Sequence, residues 1–145
     1  MRSPAFTLIE LVIVIALIGI FALFIGPPLG TARDNQALSA AAEMLADHMR
    51  EAHIFARNTR NETAWGVRNL TTTTYALVSG TDASPHTEKS FELDRAIKFT
   101  GNFAVWFEVG TGANSTQTIE LINTHGRKLH VQVLESGVID VIAVP

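Results

Sequence analysis

The stretch "FTLIELVIVIALIGIFALFI", Phe6–Ile25, decides how the rest of this chain is read. About 20 helical residues, rising roughly 1.5 Å each, span about 30 Å, the thickness of a bilayer's hydrocarbon core. One residue breaks the apolar run, Glu10. A secretory signal peptide with Arg2 as its basic region is one reading. The run is longer than the usual apolar region of roughly 7–15 residues, and Gly26-Pro27-Pro28 stands where a small-residue cleavage pattern belongs. A retained transmembrane anchor fits the length, and Glu10 then needs an account. An acid in a membrane helix costs about 3 kcal/mol at the centre, less near an end, and normally has a partner. Arg2 is too far along the helix to serve. A cut before Phe6 creates an α-amino group four residues from Glu10. Amine and carboxylate at that spacing pair within one helix, or between two helices staggered along a common axis. The second arrangement neutralises two charges where little water reaches and sets a register.

The chain has 145 residues, a formal net charge of -3 and no cysteine. That length holds one modest domain plus an appendage. The weak charge gives no general attraction to nucleic acid or anionic lipid. Without cysteine there is no disulfide framework, thiolate metal site or cysteine nucleophile.

Gly26, Pro27 and Pro28 interrupt the helical signal, because each proline lacks an N–H and clashes with the preceding turn. The expectation is a kink or a locally melted stretch there, the alternative a helix that ends. Beyond it, residues 32–61 are strongly helical. Leu38, Ala41, Ala42, Leu45, Met49, Ala52 and Phe55 recur at three- and four-residue steps as one apolar stripe. Glu43, Asp47, Arg50, Glu51 and Arg57 fall mostly off it, and the helix is expected to end near Asn58–Asn61.

From about Thr63 the period becomes two. "TAWGVRN" and "TTYALVSG" read as strands around a polar turn at Asn69–Thr72, and "GTDASPHTEKS" as a loop. "IKFTG", "FAVWFEV", "TQTIELIN", "KLHVQVL" and the segment after Ser136-Gly137 read as further strands. Seven or so short strands after one long helix predict an α+β fold. An antiparallel β domain, of one sheet or two, packs on the amphipathic half of the helix. Trp65, Trp106 and Phe107, in alternating strands, are expected in its core.

Chemistry-bearing constellations are absent from the spacing. His48 and His53 are five apart on the helix, so they do not share a face as an i,i+4 pair would. No histidine pair has metalloprotease spacing, and no nucleophile motif joins Ser, His and Asp. The expectation is no catalytic residue, no metal and no cofactor.

The segment "AFTLIELVIVIALIGI" resembles the leader and helix of type IV pilins and type II secretion pseudopilins: a short basic leader, then Phe-Thr-Leu-Ile-Glu and an apolar helix. The resemblance implies cleavage between Ala5 and Phe6 by a prepilin peptidase, which also methylates the Phe6 amine. It makes Glu10 the assembly glutamate. Gly19 and Pro27 fall where pilin helices often carry glycine and proline. Ala5 stands where the family has glycine, so slower processing is expected. Glycine-rich loop, Thr-Ile-Glu-Leu strand, basic turn at Gly126-Arg127-Lys128 and valine strand are together similar to GspH/FimT-type minor pseudopilins. Major pseudopilins often bind calcium in a C-terminal loop, but Asp82 and Glu88 form no dense acidic cluster here.

These readings divide the chain into a leader (1–5), a transmembrane and filament-core helix (6–25), a kinked stem (26–60) and a β-rich head (61–145). The expected protein is a structural subunit of a type II secretion pseudopilus or type IV pilus, placed near the tip and supporting protein secretion. It is not an enzyme. It is single-pass in the bacterial inner membrane with its head in the periplasm, then filamentous after assembly. Its partners are other pilin or pseudopilin subunits and the prepilin peptidase. A tip subunit that touches DNA or a surface through Arg127 and Lys128 is the alternative. Glu108, Glu120, Glu135 and Asp140 make that region acidic overall and argue against nucleic acid. An unprocessed anchor for an unrelated β domain is the third possibility.

Overall fold

A computed structural model describes the backbone of residues 7–144 and, apart from residues 22–29, their side chains. The leader, with Ala5 and Phe6, lies outside the described residues. The chain forms two compact units divided between Arg33 and Asp34.

Helix α1, Leu8–Arg57, provides the described structure of the first unit and the only α-helix among the described residues of the second. Its assignment runs through Gly26, Pro27 and Pro28, so the helix does not end there. The side chains at this expected kink lie outside the described residues. In the second unit the predicted stripe is the buried one. Leu38, Ala42, Leu45, Met49 and Ala52 are fully buried, joined by Ala46 and Ala56, while Phe55 is half-buried. Glu43, Asp47, Arg50, Glu51 and Arg57 are exposed. Small residues on the stripe let strands approach the helix closely, while the larger side chains fill the gaps. After Arg57 the chain turns through Thr59, Asn61 and Glu62, all at positive φ, around a short 3-10 turn at Arg60–Glu62.

Eight strands follow: β1 Ala64–Asn69, β2 Thr74–Thr81, β3 Ser84–Glu92, β4 Ile97–Phe99, β5 Ala104–Phe107, β6 Gln117–Asn123, β7 Lys128–Val133 and β8 Ile139–Ala143. They make two antiparallel sheets, ordered β3-β2-β1-β5 and β4-β6-β7-β8. The α+β class with a long N-terminal helix is as expected. Both sheets contribute to one core with α1: Trp65, Val67, Tyr75 and Leu77 from the first meet Ile97, Leu121, Val131 and Val133 from the second.

Two expectations need correction. Residues 84–90, expected within a loop, belong to edge strand β3, joined to β2 by a tight turn at Asp82 and Ala83. Ser84 and residues 86–90 are exposed, so no apolar alternation marks the strand, and an edge tolerates Pro85. Trp65 and Phe107 are core residues, but Trp106 is only half-buried, on the opposite face of the sheet. Its ring lies over Gly66, where a Cβ would strike both the indole and the Val105 carbonyl. Its Nε1–H donates to Asp82 Oδ1 at 3.0 Å.

Candidate functional site

The described helix begins with a motif that the apolar reading of the run passes over. Thr7 Oγ1 accepts from the Glu10 backbone N–H at 3.4 Å, and the Thr7 hydroxyl donates to Glu10 Oε2 at 3.4 Å. The Thr7 carbonyl accepts from the N–H groups of Glu10 and Leu11 at 3.1 and 3.3 Å. This is the Thr-x-x-Glu capping pattern, which occupies N–H groups that have no partner within a first helical turn. The signal was available in the spacing of Thr7 and Glu10. The side-chain contacts are long, so the carboxylate is not saturated by them.

Around Glu10 every described side chain from Leu8 to Phe21 is exposed. Leu8 is 80% exposed, Ile9 68%, Ile15 61% and Phe21 64%. Leu11, Val12, Ile13, Val14, Leu17 and Ile18 point to all sides, so the helix has no polar face. A helix apolar all round needs a covering of lipid or other helices. Among the described residues, no helix is long and apolar enough to cross a membrane. The described apolar part, Leu8–Phe21, measures about 20 Å, and the side chains completing the expected span lie outside the described residues.

The other candidates sit in the second unit. Arg127 and Lys128 are exposed at the turn between β6 and β7. Lys128 Nζ lies 3.1 Å from Glu120 Oε1, and His130 Nε2 lies 2.9 Å from Glu120 Oε2. The bonds from His130 and Lys128 pull the Glu120 carboxyl down to about 2. Asp82 is occupied by Trp106, and Glu88 Oε1 accepts from Ser79 Oγ at 2.6 Å. The histidines are dispersed. His48 Nδ1 bonds the Tyr75 hydroxyl at 2.9 Å, and its ring stacks on Phe91 with centroids 3.7 Å apart. His53 packs against Phe107. His125 Nδ1 lies 3.1 Å from Asp34 Oδ2. Among the described residues no group of three His, Asp or Glu is placed to hold a metal.

Residues 1–26 match the prokaryotic N-terminal methylation motif, the type IV pilin-like signal. That motif implies processing by a prepilin peptidase and assembly with other pilins. No curated protein and no solved structure matches the chain.

Proposed function

We propose that the chain is a minor pilin-like subunit of the GspH/FimT type. It is cleaved between Ala5 and Phe6, N-methylated on Phe6, and held in the inner membrane by Phe6–Ile25 with its head in the periplasm. It then moves into a type II secretion pseudopilus or type IV pilus, near the tip, where it supports protein secretion and catalyses no reaction itself. The observation that carries this reading is the helix exposed on every side from Leu8 to Phe21, with Glu10 as its one charged group. Bundled helices cover that surface, and the carboxylate takes the Phe6 ammonium of a neighbouring subunit. Such a bond is charge-assisted and shielded from water, which strengthens it relative to the long contacts to Thr7.

Glu10→Ala tests the pairing. It is expected to leave membrane insertion intact, since it removes a charge from an apolar helix. Incorporation into sheared filaments should fall at least about tenfold, which corresponds to about 1.4 kcal/mol of lost pairing. Wild-type incorporation of the variant would refute the role. Glu10→Gln separates charge from hydrogen bonding and is expected to fail as well.

A further inference from the structure

Counted along the sequence, the C-terminal region is acidic. The fold sorts these charges. Lys98 on β4 lies opposite Ile122 on β6, and Ile122 lies opposite Lys128 on β7. Directly opposed residues share a face, so the two lysines flank Ile122 on the outer side of the second sheet. Arg127 precedes Lys128 on the turn, and Arg95 precedes β4; all four cations are exposed. Glu108 and Glu135 line a separate hollow with Trp106 and Asn114. Asp140 pairs with Gln132, several residues up β7 from Lys128.

Of the acids near this basic end, Glu92 and Asp94 line a neighbouring hollow with Ala37 and Met44, and Asp94, Asp34 and Glu120 hold partners. Asp94 Oδ1 accepts from the Ala96 N–H at 2.9 Å, and Asp34 Oδ2 accepts from the Thr124 hydroxyl at 2.7 Å and faces His125. Glu120 takes Lys128 and His130. Among the described residues, Arg95, Lys98 and Arg127 form no ion pair. Arg95 and Lys98 line an open hollow of about 450 Å³ together with Thr72, Thr73 and Thr124, over a floor that includes Ile122. Two cations beside the hydroxyl-bearing side chains of Thr72 and Thr73 are the chemistry that holds a phosphate ester, the Thr124 hydroxyl being given to Asp34.

Its place in the chain narrows the source of that phosphate. Asn123 Nδ2 donates to Asn35 Oδ1 at 2.9 Å, and Thr124 bonds Asp34. The hollow therefore sits where the helix enters the second unit. Only residues 26–33 separate Ile25 from Asp34. Even fully extended, they reach no more than about 30 Å. In a chain anchored through Phe6–Ile25 that reach bounds the distance of Asp34, the residue bonded to Thr124 of the hollow, from the end of the anchor, so lipid is present at high effective concentration.

We infer that this end of the head docks on anionic lipid headgroups of the membrane that anchors the chain. The inference rests on the anchored reading given above. A headgroup phosphodiester lies between Arg95 and Lys98, with the Thr72 and Thr73 hydroxyls beside it and Arg127 alongside. Docking holds the head down before the subunit enters a filament, and extraction releases it. Nucleic acid fits less well, because Lys128 is partly neutralised by Glu120 and the hollow presents no aromatic ring for bases to stack on.

The test uses the full chain reconstituted in vesicles of phosphatidylcholine alone or with phosphatidylglycerol, each carrying a headgroup quencher. The chain has no cysteine, so Leu70→Cys, exposed on the turn that carries Thr72 and outside the lining, places one fluorophore beside the hollow. Thr116→Cys places a control in the loop before β6. At low salt the Leu70 label should be quenched at least about twofold more with phosphatidylglycerol, and the excess should vanish near about 1 M salt. The exposed double substitution R95Q/K98Q should abolish it, while the Thr116 label stays unresponsive. Equal quenching in both vesicles, or an excess that survives R95Q/K98Q, overturns the inference. A label that responds to added duplex DNA and not to phosphatidylglycerol overturns it in favour of nucleic acid. Vesicle flotation separates the two levels. A chain that floats with phosphatidylcholine yet shows no lipid dependence overturns this inference alone. A chain that floats with neither vesicle overturns the anchored reading and this inference with it.

Discussion

His48 shows how one side chain couples the stem to pH. Burial lowers its pKa from 6.5, and Lys89 pushes the same way against Glu51 and Asp47. Burial also lowers that of His53, with Arg57 adding to the effect. A histidine whose folded pKa is depressed binds its proton more readily when the chain unfolds. Its contribution is fully present above 6.5 and declines as pH falls below that value. The melting temperature of the full chain in detergent is therefore expected to drop between about pH 7.5 and 5.5. His48→Gln keeps a hydrogen-bonding group for the Tyr75 hydroxyl and takes up no proton, so it should flatten that drop. An unchanged slope would contradict the assignment. Glu120 acts in a lower window: the stability it contributes is present above 4.5 and is lost as pH falls toward about 2. Thr7 was legible from its spacing to Glu10, because capping is a local rule. The bond between His48 and Tyr75 was not, because it joins residues 27 positions apart.

Among the elements, α1 was the most legible. Its buried stripe follows from a period of 3.6, and burial against two sheets only adds Ala46 and Ala56 to the residues named from spacing. Strands with one buried face, such as β6 and β7, announce themselves by alternation. Edge strand β3 does not, because solvent meets nearly all of it and its pairing comes from β2. The end of α1 is fixed by contacts equally invisible in sequence. Gly110 N–H donates to the Ala56 carbonyl at 2.8 Å, and His53 sits against both Gly112 and Gly137. These glycines lie on loops that follow β5 and β7, at φ of +67° and +79°. A Cβ at Gly137 would meet the His53 ring in a backbone conformation that L residues adopt at a cost. Gly137→Ala is expected to destabilise the head by about 2 kcal/mol, read as a lower denaturant midpoint. A midpoint equal to wild type would mean that the helix end is not pinned there.

At the scale of the whole molecule, the sequence made the N-terminal segment plain and the charge distribution obscure. Phe6–Ile25 is legible because lipid or helix packing demands an uninterrupted apolar surface, and one acid within it stands out. Arg95, Lys98, Arg127 and Lys128 come from a connection, a strand and a turn that only the pairing of β4, β6 and β7 brings together. Counting charges along the chain mixed them with Glu108 and Glu135, which lie around another hollow. The proposed pairing of Glu10 depends on a new amino terminus being made at Phe6, the group that would supply its cation. Mass spectrometry of the mature chain purified from its native host measures this directly. A protein lacking residues 1–5 and carrying one added methyl group on the Phe6 amine is expected. A mature protein that still begins at Met1 would contradict the pairing.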